Sequence, residues 1–562
     1  MSFKRKETRV PHRSRTKRSE LLLPAGDLNR LKTAILYGAD AVYAGTPDLS
    51  LRTQSGFTLE ELVEGVSFAH EAGKKVYLTL NLFTHNKDIE KLPRFLETIR
   101  EVKPDGVIVA DPGVFQFLKD NAPELERHIS TQANIVSWLT VDYWQKQGAD
   151  LCVLAREASY AELAEIREKV PDIKLEAFVH GAMCMTYSGR CLLSNFMAER
   201  GANQGNCAHS CRWKYDLKVR TKDGVEKTIG ITDQNMQDFE FFLEEEYRPG
   251  EIYPIEEDGH GSYIMNSKDL CLMPVLDDYL KIGVDSLKIE GRNKSEYYVA
   301  IAARAYRQAI DAWYGDPENW SPEPYLKELH TLQSRGYTMG FHTGRLTDLA
   351  HSFDRSESLG GWVFAGIVRE WQGDDLILEI RNRCQAGDVI EFLPPGETEV
   401  IRLRLYEFLD AKTGQTLEAV SAGQDRAIRI NASVFHAEDL NTLKDRLPPL
   451  AVARKETPLP DDKQALLEAA IREQDVERGM MAREDLQAWK DDPEGAAKKA
   501  SLKSRSFLDK APKLGLEGCC GLGCNGCLMF WNDPKYEEAR KKLAGKGIGE
   551  MLEKDCSQTT PQ

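Results

Sequence analysis

Between Glu20 and about Ile310, short apolar runs alternate with amphipathic helix-like segments, and this rhythm restricts the fold more than any other feature of the chain. The runs are Leu21–Leu23, Ala41–Tyr43, Val76–Leu82, Gly106–Ala110, His128–Thr131, Leu151–Leu154, Lys174–Val179, Tyr263–Met265 and Ser286–Ile289. Parallel strands covered on both faces read as continuous apolar stretches of this kind. Roughly eight of them, separated by helices, predict a (β/α)8 TIM-type barrel over residues 20–314. A doubly wound sheet is the other topology with the same alternation.

Polar residues gather at or just beyond the ends of these runs: Asn81, Asp111, Gln132, Asn134, Arg156, His180, Asn266, Lys268, Lys288, Glu290 and Arg292. In a barrel, strand ends meet at the C-terminal mouth, where active sites are built. Some of these residues would instead cap the helices that follow.

The remainder divides by composition. Residues 1–19 form a basic tail, either solvated and disordered or an arm for RNA phosphates. The acidic stretch 212–262 reads as an insertion into the barrel, and 315–360 as a helical connector. Short strand signals between turns over 361–450 predict a small β-barrel. Residues 451–511 read as a charged linker of helical propensity, and 512–562 as a Cys-rich C-terminal segment. A net charge of −15 argues against nonspecific coating of nucleic acid, but not against a local basic site. No apolar run is long enough to cross a bilayer, and no apolar segment follows the basic start. The expectation is a cytoplasmic protein with no membrane partner.

Four of the twelve cysteines lie within residues 184–211 and four within 519–527. In a reducing compartment such clustering points to metal or redox chemistry rather than disulfides. Cys184, Cys191, Cys207 and Cys211 follow directly on the run Lys174–Val179, among glycines that let backbone N–H groups approach sulfur. Structural zinc prefers two closely spaced Cys pairs, and only Cys207 and Cys211 have that spacing; an iron–sulfur cluster fits the set better, with zinc as the alternative.

Several long motifs carry a resemblance. Glu20-Leu-Leu-Leu-Pro-Ala-Gly26, Gly38-Ala-Asp-Ala-Val-Tyr-Ala-Gly45, Phe178-Val-His-Gly-Ala-Met-Cys184, Asn266-Ser-Lys-Asp-Leu270 and Ser286-Leu-Lys-Ile-Glu-Gly-Arg292 are similar to those of the collagenase-like peptidase family U32. Ser50-Leu-Arg52, Gln204-Gly-Asn-Cys207 and Ser210-Cys-Arg-Trp213 resemble its branch of prephenate-dependent tRNA uridine hydroxylases. The resemblance implies hydroxylation of the wobble uridine of tRNA to 5-hydroxyuridine, with prephenate as co-substrate. It also implies an iron–sulfur cluster (4Fe–4S) on Cys184, Cys191, Cys207 and Cys211, loaded by the iron–sulfur assembly machinery. Sister members hydroxylate an rRNA cytidine.

Prephenate is a dianion, and Arg grips carboxylates with two hydrogen bonds. Arg52, Arg156, Arg190 and Arg292 are therefore the candidate substrate-binding cations, and Tyr187 could stack on the base. His180, Glu290 and Lys288 are the candidate catalytic groups. A peptidase is the alternative that the family name suggests, though no G-x-S-x-G or H-E-x-x-H motif is present. Cys519, Cys520, Cys524 and Cys527 are candidates for a second metal or Fe–S site.

Overall fold

The computed structural model describes residues 18–46, 56–82, 84–183, 187, 267–344, 346, 348–351, 358–423, 426–436 and 439–479, with short strands between 219 and 263. Eight parallel strands form the barrel: β1 (Glu20–Ala25), β2 (Ala41–Gly45), β3 (Lys75–Leu80), β4 (Gly106–Val109), β5 (Glu126–Ile129), β6 (Leu151–Val153), β7 (Lys174–Ala182) and β8 (Ser286–Ile289). β8 closes it by pairing with both β1 and β7. Alternate residues separate two environments. Leu21, Leu23, Val42, Val76, Leu78, Val107 and Val109 join the core between barrel and helices, whereas Leu22, Ala41, Tyr43, Tyr77 and Ile108 pack in the lumen.

Side chains at the strand-to-helix turns start the outer helices. Asp27 caps Leu28–Leu36, Asp111 caps Pro112–Asn121, and Ser295 caps Glu296–Gly315. Thr58 with Glu61, and Ser159 with Glu162, form reciprocal capping boxes. Asp111 is thus engaged as a helix cap.

The run Tyr263–Met265 contributes no described residue to the barrel sheet. Its start lies in the strand Gly261–Tyr263, which pairs antiparallel with Ile252–Asp258, a local hairpin beside which Phe241–Glu244 adds a third strand. Next to the barrel, the short strand Asp269–Cys271 runs antiparallel to the end of β7 and parallel to Tyr337–Thr338.

The second β-module is a curled antiparallel sheet. Its strand order is Ile401–Arg404, Val389–Leu393, Val452–Glu456, Trp362–Gln372, Asp375–Ile380, Ala427–Asn431, Phe408–Asp410 and Thr416–Leu417. It has its own core, including Val368, Leu378, Phe392 and Ile428. The expected boundary at 450 falls short, because Val452–Glu456 pairs with strands on both of its sides. This segment reads as a charged linker, but Arg454 pairs with Glu391 of the neighbouring strand and Lys455 with Asp388 just before that strand. In the same stretch the helix Asp461–Glu477 packs on its neighbours instead of linking. There Ala465, Ala469 and Ala470 are buried, and Glu473 binds the buried Lys268 at 2.5 Å.

Tyr37 joins this sheet to the barrel. Its hydroxyl donates to Leu393 O at 2.6 Å and accepts from Val452 N at 2.9 Å, all of it buried. Tyr37→Phe leaves both backbone groups unpartnered, so a loss of about 1–3 kcal/mol is expected in urea unfolding. An unchanged midpoint would show that water replaces the hydroxyl.

Candidate active site

At the C-terminal mouth, Arg156 follows β6 and Glu290 follows β8; the guanidinium Nη2 donates to Glu290 Oε2 at 3.0 Å. Its Cζ lies 4.1 Å from the centroid of the Phe178 ring of β7, a cation–π contact that holds the side chain. Arg292 donates to Thr79 Oγ1 at 3.4 Å, and Asn81 Nδ2 to Ser130 Oγ at 3.2 Å. Gln132 is buried, and the Oδ1 and Nδ2 atoms of Asn134 are buried with no hydrogen-bond partner among the described residues. Asn134 has a left-handed backbone (φ 52°), which turns the chain sharply at the end of β5. Amide groups held in this way are suited to reading a heterocycle.

Lys288, the last lumen-facing residue of β8 before Glu290, is 5% exposed. Its ammonium donates to Glu176 Oε1 at 2.7 Å and lies 4.6 Å from the Tyr43 ring and 5.5 Å from Phe178. Glu176 is fully buried and also accepts from Ser286 Oγ at 3.0 Å. Further down, Tyr77 donates to Glu20 Oε2 at 3.0 Å, while Glu126 holds His128 Nε2 at 3.0 Å and Lys174 at 2.9 Å. The hydrogen bond from His128, helped by Lys174, pulls the Glu126 carboxyl down to about 2. Sequence reasoning missed Glu20, Glu126, His128, Lys174, Glu176 and Ser286. The available signal was charged or polar residues at every second position of otherwise apolar strands, as in Lys174-Leu-Glu176 and Ser286-Leu-Lys288.

The model of peptidase family U32 matches residues 26–351. The chain is 42% identical over 395 residues to the "tRNA hydroxylation protein P" of Escherichia coli (strain K12), covering 67% of this chain and 86% of that one. This chain belongs to peptidase family U32. It is also 39% identical to the "tRNA hydroxylation protein P1" of Bacillus subtilis (strain 168), over 68% of this U32 chain and 84% of that one. A third relative is the "23S rRNA 5-hydroxycytidine C2501 synthase" of Escherichia coli (strain K12), 33% identical over 71% of this chain and 55% of that one.

The U32 motifs have clear structural work. At Gly181 the backbone is left-handed (φ +115°), and an added Cβ would come within 2.5 Å of Glu290 O. A Cβ at Gly26 would stand 2.3 Å from Arg292 O. These glycines let the ends of β7, β8 and β1 close around the mouth. In the motif Asn266–Leu270, Lys268 binds Glu473 and the buried Asp269 binds Arg335. The motif therefore clamps the strand beside the end of β7, which leads through the buried Met183 to Cys184.

His180 does not reach the mouth. It is 1% exposed, and its ring sits 5.3–5.9 Å from those of Tyr298, Tyr306 and Tyr337. The cause is an irregularity in β7: Lys288 pairs with Phe178, but Ile289 pairs with His180, so one extra residue turns the imidazole out of the lumen. Burial pushes its pKa down to about 4, and the expected catalytic role gives way to packing. A His neutral in the fold but near its ordinary value when unfolded binds fewer protons folded, so its contribution to stability is lost as pH falls from about 6.5 towards 4. We expect about 2 kcal/mol of this loss by pH 5, read as a falling urea midpoint and absent in His180→Asn. A midpoint with the same pH slope in both proteins would contradict the buried neutral ring.

Of the other candidate residues, Arg156 pairs with Glu290 and shares the Phe178 ring with Lys288, Arg292 reaches Thr79, and Tyr187 is 62% exposed. Arg52, Arg190, Cys184, Cys191, Cys207, Cys211, Cys519, Cys520, Cys524 and Cys527 lie outside the described residues. Among the described residues no helix is long and apolar enough to cross a membrane.

Proposed function

We propose that this U32 protein hydroxylates the wobble uridine of tRNA to 5-hydroxyuridine, in a prephenate-dependent reaction at the barrel mouth. The observation that carries the reading is identity of about two residues in five, over most of their length, to proteins named for tRNA hydroxylation. The relative named for 5-hydroxycytidine synthesis supports pyrimidine hydroxylation as the shared chemistry.

The donor set Cys184, Cys191, Cys207 and Cys211 suits an iron–sulfur cluster, since four soft thiolates satisfy a cubane without further protein ligands. Bound there, the cluster supplies one-electron transfer. The described residues have separate tasks. Arg156 keeps N–H donors beyond the one on Glu290, so a substrate carboxylate can join the pair in plane. Arg292 adds a second cation beside Thr79. An anticodon base is already unpaired, so placing it in the mouth costs little. Lys288 and Glu290 are the groups placed to hold or move a proton at the floor and rim.

Nucleoside mass spectrometry of tRNA from a deletion strain tests the reading. Loss of 5-hydroxyuridine and its derivatives, restored by the intact gene, is the outcome anticipated. Unaltered nucleosides with altered peptide turnover would replace hydroxylation with proteolysis.

A further inference from the structure

Barrel lumens are normally filled with branched apolar side chains. Here the lower lumen carries carboxylates and ammonium groups, whose desolvation is expensive even when paired. The polar groups are also continuous. From Lys288 Nζ the line passes to Glu176 Oε1 at 2.7 Å, from Glu176 Oε2 to Ser286 Oγ at 3.0 Å, and from Ser286 Oγ to Glu20 Oε1 at 3.4 Å. Glu20 and Ser286 line a cleft of about 520 Å³ at the opposite, N-terminal end of the barrel, with Lys75, Tyr77, Glu126 and Lys174. The line therefore begins under the mouth and ends at solvent on the other face.

We propose that Glu176, Ser286 and Glu20 form a proton path joining Lys288 to water in the N-terminal cleft. It serves the hydroxylation proposed above, and it rests on that reading. A tRNA seated on the mouth excludes bulk water there, while replacing a ring C–H by C–OH requires proton exchange at the site. The lumen supplies the exit. A proton leaves Lys288 Nζ for Glu176 Oε1, giving a neutral amine and a neutral acid; the acid turns about its terminal C–C bond and delivers that same proton to Ser286 Oγ as the Ser286 hydroxyl proton passes to Glu20 Oε1, and Glu20 releases it to cleft water, which leaves Glu176 and Glu20 ionised and Ser286 a hydroxyl as before. One proton enters and one leaves, no electrons move, and the reverse sequence recharges Lys288. A structural ion pair needs only Lys288 and Glu176; it gives no reason for the line to continue through a serine to a carboxyl at the cleft.

The surroundings of Glu20 suit a relay. Burial, then the nearby Glu176 charge, raise its pKa, while the Tyr77 hydroxyl, Lys75 and His128 hold it partly down. Lys288 faces Glu176 and the rings of Tyr43 and Phe178.

The test uses the full-length, cluster-loaded protein with prephenate and tRNA lacking the modification. Ser286→Ala and Glu20→Gln are expected to lower kcat, per folded protein, at least about tenfold, with tRNA affinity unchanged. Glu20→Ala is expected to regain turnover when formate or acetate is added, because a small acid enters the cleft and replaces the carboxyl. Variants that turn over at the parent rate would overturn the path, and so would a loss that no weak acid rescues. Absence of turnover in the parent protein, by contrast, overturns the hydroxylase reading itself, and the path with it.

Discussion

Cys207→Ala is expected to strip the protein of most of its iron and to abolish tRNA hydroxylation. Cys184, Cys191, Cys207 and Cys211 are the only thiols in the segment 184–211, so the change removes a quarter of the thiolate set, and the neutral thioethers of Met185 and Met197 do not supply the lost negative charge. The same outcome is expected for Cys184, Cys191 and Cys211. The three cysteines of the described core provide the control. Cys152, Cys271 and Cys384 are buried free thiols, and burial pushes the first two up to about 12 and the third to about 11. They remain protonated at neutral pH and behave as small apolar groups rather than ligands. Cys152→Ala should therefore keep its iron. Iron per chain, the visible absorbance of the purified protein and the tRNA nucleoside profile read all of these together. Retained iron in Cys191→Ala and Cys207→Ala would remove the four-thiolate centre from the account.

The second large effect is on stability. Lys288→Met leaves the carboxylate of Glu176, which is fully buried, without its cation. Breaking one side of a buried pair costs about 3–5 kcal/mol, mostly as the uncompensated charge left behind. The double variant Lys288→Met with Glu176→Gln removes that charge and should recover most of the loss. Urea unfolding of the three proteins measures the difference. A single variant as stable as the parent would mean that Glu176 takes up a proton at little cost, and that the lumen is wetter than its burial indicates.

The barrel was legible because its outward faces are apolar and its helix starts carry capping residues. Where the reading failed, short-range pattern was overruled by partners distant in the chain. Tyr263–Met265 has the composition of a barrel strand, but its first residue pairs locally, with Glu256 of Ile252–Asp258. Val452–Glu456 and Asp461–Glu477 read as linker because Arg454, Lys455 and Glu473 are charged; their counter-charges Glu391, Asp388 and Lys268 lie far away in sequence. At the site, Arg156 and Glu290 were found because strand ends meet at one mouth. His180 was misjudged, since a single extra residue in β7 reverses the side on which a chain emerges, and composition carries no trace of it. The lumen line escaped notice for the opposite reason. Its residues were visible, but a barrel interior is expected to be apolar.

Anaerobic incubation of the purified, iron-loaded protein with prephenate and tRNA from the deletion strain, followed by mass spectrometry of the anticodon fragment, puts the chemistry itself to trial. The account predicts that the wobble uridine gains one oxygen atom, and that omitting either prephenate or the iron prevents it. An anticodon fragment of unchanged mass, from protein whose cysteine centre is fully loaded, would contradict it.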